Sequence, residues 1–278
     1  MRFTKMHGIG NDYIYVDAFR NNVRDPAGLA VRISDRHFGV GSDGLVLIGP
    51  SDRADFRMRM FNSDGSEGEM CGNAARCIGK YVYDRGLTDR TEVTLETRAG
   101  IKTLTLRPEN GQIASVRVDM GEPVLEAARI PLLPADTDPR CFTLEAGGRS
   151  FTVSAVSMGN PHCVIPVEDI AVCGFETFGP LLEKHPRFPA HANIEFTKVL
   201  DRGHVRVRVW ERGSGETLAC GTGACAVAVA CARLGLTDRA CEVQLRGGTL
   251  HILWAENNHV YQEGPAAFIC DGEWPEDA

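Results

Sequence analysis

The sequence has no pair of cysteines in the C-x-x-C spacing that structural zinc sites use, no long apolar run and no surplus of basic charge. Lysine and arginine number 30 against 37 aspartates and glutamates, a formal net charge of −7. Nucleic acid and anionic membrane both call for basic surface, so neither is expected as a partner. The longest apolar run, residues 224–232, is far too short to span a bilayer. The opening Met1-Arg2-Phe3-Thr4-Lys5 lacks the apolar core of an export signal, and a soluble, cytoplasmic protein is the expectation. Ten cysteines in 278 residues make a poor disulfide scaffold for so long a chain, so free thiols in a reducing compartment and no metal site are expected.

What is present occurs twice. Cys71-Gly72-Asn73-Ala74-Ala75-Arg76 leads into a helical pattern that stops at Gly86-Leu87-Thr88-Asp89-Arg90, and Cys220-Gly221-Thr222-Gly223-Ala224-Cys225 leads to Gly235-Leu236-Thr237-Asp238-Arg239. The displacement is 149 residues at both ends (220 − 71, 239 − 90). The same step carries Gly10-Asn11 onto Gly159-Asn160, Arg57 and Arg59 onto Arg206 and Arg208, Phe61 onto Trp210 and Glu67 onto Glu216. An internal repeat of this kind predicts two copies of one α/β domain. The Pro131, Pro134 and Pro139 stretch sets the division, giving domains over residues 1–125 and 126–263.

Taken in order, residues 3–17 alternate like strands around a tight turn at His7-Gly8-Ile9-Gly10-Asn11-Asp12. Asp25-Pro26 starts a short helix to about Arg36, which Gly179-Pro180-Leu181-Leu182-Glu183-Lys184 answers in the second half. Residues 44–48 form a continuous apolar strand, and 56–61 and 205–210 alternate with period two. The helix after Cys71 shows an apolar face at Ala74, Cys77, Ile78, Tyr81 and Val82, and the one from about Gly223 to Leu234 is apolar nearly all round, as a domain's central helix would be. Strand pairs close each half at 93–96 and 101–106, and at 242–245 and 249–254; a strand-like stretch over 260–269 is broken at Gly264-Pro265.

A cysteine opening a helix lies where unpaired N–H groups and the helix dipole favour its thiolate, which can lower a thiol pKa to roughly 3.5–7.5. The N–H groups of Gly72, Asn73, Gly221 and Thr222 also suit a carboxylate. Were the halves to face each other about a pseudo-two-fold axis, a thiol would stand on either side of one Cα, as a two-base racemase needs. The bland reading of a cysteine is a small buried hydrophobe. It fits Cys77, Cys141, Cys163, Cys173, Cys225, Cys231, Cys241 and Cys270, whereas only Cys71 and Cys220 match across the repeat. A dinucleotide fingerprint at Gly8/Gly10 or at Gly221-Thr222-Gly223 is poorly supported, because the first opens no helix and a long loop precedes the second.

These residues resemble the diaminopimelate epimerases over essentially the whole chain, through Gly8-Ile9-Gly10-Asn11-Asp12, Phe61-Asn62-Ser63-Asp64-Gly65-Ser66, Met70-Cys71-Gly72-Asn73, Gly159-Asn160-Pro161-His162, Ala192-Asn193-Ile194 and Glu211-Arg212-Gly213 with Ala219-Cys220-Gly221-Thr222-Gly223. The resemblance implies a cofactor-independent enzyme acting on diaminopimelate, with Cys71 and Cys220 as the acid/base pair and Gly72, Asn73, Gly221 and Thr222 on the reacting carboxylate. It implies that Asn11, Asn62, Asn160, Asn193 and Arg212 hold the rest of the substrate, with His162 and Glu211 near the reacting centre. It also implies two pseudo-symmetric domains, each a curved, mostly antiparallel sheet around a central helix, a last strand over 264–275 returning to the first domain, and a homodimer. Gly44 stands where some members carry glutamine. Proline or hydroxyproline racemases of the same fold, and a non-catalytic bilobed amino-acid binder, are the alternatives.

Overall fold

The computed structural model describes residues 1–275. The chain divides into two compact units, Met1–Asp119 with the chain from Glu263 onward, and Met120–Gln262.

In the first unit, β1 (Arg2–Gly8) and β2 (Asn11–Asp17) form an antiparallel hairpin. Its turn sets Ile9 at φ 50 and Gly10 at φ 92. A left-handed conformation is uncommon for a β-branched residue, and burial of the Ile9 side chain holds it there. Helix α1 (Pro26–Ser34) begins with proline in its first turn and the Asp25 carboxylate accepting from the Gly28 N–H at 3.0 Å. The chain then returns through β3 (Gly44–Gly49), parallel to β2, and β4 (Phe56–Asn62), antiparallel to β3. A two-residue strand β5 (Glu67–Gly68) beside β4 delivers the chain to α2 (Gly72–Asp84). Beyond α2, β6 (Glu92–Thr97) pairs parallel with β4, and β7 (Gly100–Glu109) and β8 (Gln112–Asp119) extend the sheet antiparallel. Helix α2 touches the neighbouring strands β7 and β8 and also β1, which β2, β3, β4 and β6 separate from them, so the sheet curves round it.

The second unit repeats this order. It comprises β9 (Phe142–Ala146), β10 (Arg149–Ser157), β11 (Pro161–Pro166), α3 (Phe175–Glu183), β12 (Asn193–Asp201), β13 (His204–Glu211), β14 (Gly215–Thr217), α4 (Gly221–Arg233), β15 (Ala240–Leu245) and β16 (Gly248–Trp254). Strands β17 (Val260–Gly264) and β18 (Ala267–Glu273) end the described chain. The pairings match as well: β11 lies parallel to β12 and β13 parallel to β15, as β2 does to β3 and β4 to β6. Both helix pairs obey the 149-residue step at both ends (175 − 26 and 183 − 34; 221 − 72 and 233 − 84). One position differs. The place beside β1 is filled by β18, from the far end of the described chain, and the place beside its counterpart β10 is filled by β9, which directly precedes it.

Three sequence expectations need correction. The counterpart of α1 starts at Phe175, not Gly179, and tolerates Pro180 inside it. Burial outweighs the lost hydrogen bond, because Phe175 packs against Phe196 and Trp210 at ring separations of 5.5 and 5.9 Å. The change of unit falls at Met120 rather than after residue 125, because the Met120 N–H bonds to the Val260 carbonyl and Val124 bridges to Ser157. Residues Ala127, Ile130 and Leu132 of the proline-rich stretch are buried in the second unit's core. Finally, all ten cysteines are free, but Cys141 and Cys270 are exposed rather than buried.

Candidate active site

The first unit assembles its candidate residues around the start of α2. Cys71 is the N-cap, extended at φ −136 and ψ 119, with Sγ accepting from the Ala74 N–H at 3.5 Å. Its thiol points at Asn11 Oδ1, 3.6 Å away. The same oxygen accepts from Asn73 Nδ2 at 3.2 Å, while Asn11 Nδ2 donates to Asp43 Oδ2 at 2.7 Å. Arg36 fixes Asp43 and Asp12 in turn, each at 2.9 Å. Asn73 Oδ1 is taken by Nη2 of the fully buried Arg76 at 2.8 Å, so the Asn73 side chain is engaged at both ends. What Asn73 offers a ligand is therefore its position in the first turn, where helix geometry leaves N–H groups without intrahelical partners. Asn62, at the end of β4, donates to Ser66 Oγ at 2.9 Å.

Gly44 has a structural reason. A Cβ built there would lie 2.0 Å from the Phe61 carbonyl oxygen and 2.8 Å from the Tyr13 ring, so this backbone leaves no room for glutamine. Gly44→Ala should destabilise the protein by roughly 3 kcal/mol, the upper part of the usual cost of overpacking a tight site. Denaturant midpoints measure it; an unchanged midpoint would show that β3 and β4 can part at no cost.

In the second unit Cys220 caps α4 in the same way, at φ −116 and ψ 110, with Sγ accepting from the Gly223 N–H at 3.3 Å and lying 3.5 Å from Thr222 Oγ1. Here the expectation of an acidified thiol fails. Burial pushes the Cys220 thiol well above its ordinary range, with Glu211 and Glu195 adding to the rise and the Thr222 and Gly223 contacts opposing it. Desolvation and two carboxylates outweigh one helix terminus. Glu211, at the end of β13, is also lifted above the ordinary carboxyl range by burial, against the opposing influence of Thr217, His162 and Cys220. The Thr217 hydroxyl donates to Glu211 Oε1. This state therefore keeps the proton on Cys220, with a carboxyl of raised proton affinity beside it.

His162, on β11, is fully buried. Its Nδ1 lies 2.6 Å from Glu195 Oε1 and its Nε2 lies 3.1 Å from Asn160 Oδ1. Asn193 is engaged at both ends, donating to the Pro161 carbonyl at 3.2 Å and accepting from the Arg212 N–H at 2.9 Å. It shapes the loop that carries Arg212, whose exposed side chain reaches the Ala190 carbonyl at 2.9 Å. At Gly221 any Cβ would lie 2.6 Å from the amide nitrogen of the buried Gln262, so a larger residue there would have to displace that side chain.

Sequence reasoning missed Glu195, Asp43, Thr217 and Gln262. Two left a signal. Glu195 interrupts an apolar strand between Ile194 and Phe196, where the first half has Val46 (195 − 149), and Asp43 stands where the second half has Ala192 (192 − 149). A charge replacing a buried hydrophobe in one repeat only is a mark of function rather than of fold.

The family model for diaminopimelate epimerase matches residues 3–126 and 154–269. A diaminopimelate epimerase of Acetivibrio thermocellus is 56% identical over 98% of this chain and 98% of its own. Among solved structures, a phenazine biosynthesis protein of Bacillus anthracis matches with a TM-score of 0.69 at 19% identity, covering 99% of each chain. A probable proline racemase of Agrobacterium radiobacter matches at 0.70 and 14%, covering 99% of this chain and 93% of its own. Those two likenesses speak for the fold; the first two, read with the paired N-capping cysteines, mean that this chain belongs to the diaminopimelate epimerase family.

Proposed function

We propose that the protein interconverts LL- and meso-2,6-diaminopimelate by moving a proton at one Cα between Cys71 and Cys220, without a cofactor. The observation that carries this reading is the pair of N-capping thiols, each accepting the N–H three residues on, at one 149-residue step (220 − 71) in repeated units. In the proposed cycle one thiolate takes the α-proton and the other thiol delivers a proton to the opposite face. The carboxylate gains charge as the carbanion forms, and the first-turn N–H groups of α2 and α4 hold it. Glu211, adjoining Cys220, accepts the thiol proton when Cys220 must act as base. Arg212, Asn11, Asn62 and Asn160 take the distal amino-acid end; Arg212 suits its carboxylate, and the amides supply fixed donors and acceptors.

Incubation with LL-diaminopimelate in deuterated water, with no added cofactor, should exchange the α-proton and yield meso product carrying deuterium at the inverted carbon. Inversion with full retention of the original hydrogen, or no exchange at all, would sink the two-base reading. No helix among the described residues is long and apolar enough to cross a membrane. A cytoplasmic homodimer completes the proposal on family likeness, and sedimentation of the purified protein tests the dimer.

A further inference from the structure

Resting on the function proposed above, we infer that Glu195 is a specificity-positioning residue: through His162 it fixes which face of the Asn160 amide meets the substrate. Glu195 is fully buried on β12, and His162 is its ion-pair partner, at 2.6 Å. Its second oxygen, Oε2, has no hydrogen-bond partner. An ionised carboxylate buried in this way needs a compensating charge, and the imidazole can supply one. A ring protonated on both nitrogens donates from Nδ1 to Glu195 and from Nε2 to Asn160 Oδ1, which matches an oxygen at each end of the ring. The amide oxygen of Asn160 is then spent inward and its NH2 is presented as a donor, the polarity that a substrate carboxylate requires.

A neutral ring would reverse this. With its one proton on Nδ1 toward Glu195, Nε2 would become an acceptor and draw in the Asn160 NH2, turning the amide oxygen toward the ligand. That face repels a carboxylate. The other titratable groups acting on this cluster are Glu211 on β13, which is coupled to His162 and Glu195, Cys220 at the start of α4 and Cys163 on β11. Glu211 is thus a second carboxyl near the ring, and Glu195 is the one in direct contact.

The test reads the ring and the kinetics separately. In 15N-labelled, unliganded protein, long-range proton–nitrogen spectra should show His162 with a proton on each nitrogen, as an oxygen at either end of the ring requires. Glu195→Gln, which keeps the shape and removes the charge, should show a singly protonated ring. Its KM for diaminopimelate should rise by about 10- to 100-fold, the scale of losing one charge-assisted hydrogen bond, with a smaller change in kcat. Glu195→Asp should recover part of the lost KM. Asn160→Asp, which keeps the acceptor for Nε2 but has no NH2, should leave the ring doubly protonated and lose the same affinity. A singly protonated ring in the wild type, or a Glu195→Gln protein whose ring and KM match the wild type, would overturn the inference. The ring spectra need no substrate, so they stand or fall apart from the assigned reaction.

Discussion

Replacing Cys71 or Cys220 by alanine is expected to abolish epimerisation in both directions, lowering kcat by roughly 10⁴-fold or more, the upper end of what a positioned acid or base contributes. In the proposed two-base cycle each thiol is acceptor in one direction and donor in the other, so no single-cysteine variant should retain a one-way activity. The two should differ in a second respect. Cys220 is buried beside two carboxylates, whereas Cys71 is half-buried and faces the side-chain amide oxygen of Asn11. In the unliganded protein, alkylation should therefore mark Cys71 well before Cys220, read by peptide mapping after a brief exposure to iodoacetamide. Retention of most activity by either alanine variant would remove the two-base assignment, and preferential labelling of Cys220 would contradict the burial described for it.

Lysine, which lacks the second carboxylate of diaminopimelate, should be a very poor substrate, with kcat/KM lower by about 10⁴-fold, because a polar site that loses its partner group pays for the unmet donors. On the proposed reading, Arg212 carries most of that discrimination. Its side chain is exposed and held by one backbone carbonyl, at Ala190, so Arg212→Met should fold normally. The variant should bring diaminopimelate down toward the rate of lysine while leaving lysine itself little changed. Equal rates for the two substrates in the wild type, or an Arg212→Met protein that still discriminates fully, would show that the specificity residues lie elsewhere.

Much of this molecule is legible in its sequence because the repeat is encoded locally. A cysteine followed by glycine, a run of small and apolar residues and a closing glycine specify a capped helix in each half, and α2 and α4 have identical lengths. The period-two strands and the closing hairpins are read in the same way. What escapes is set by packing. Nothing near Pro180 announces that Phe175 will anchor a helix through Phe196 and Trp210. The proton held on Cys220 is equally illegible, since a helix terminus can be read from six residues but desolvation by a whole unit cannot. Asn193 fits its motif, yet the fold spends both ends of its amide on the backbone.

The placing of β18 beside β1 has a consequence for how the chain is made. The second unit is contiguous, Met120–Gln262, so it can close as soon as its own residues have left the ribosome, N-terminal parts first. The first unit cannot. Its strand β1 pairs on one side with residues far along the chain, Arg2 with Glu273 and Phe3 with Gly272, and Gly272 lies so close to the Phe3 ring that any Cβ would be 2.4 Å from it. Until residues 267–273 are synthesised, β1 presents an open row of backbone donors and acceptors and an uncovered phenylalanine, the kind of edge on which chains pair with one another. Folding order therefore runs against the order of synthesis. The domain begun first is finished last, and a nascent chain stalled before Ala267 carries a folded second unit tethered to a first unit with one sticky edge.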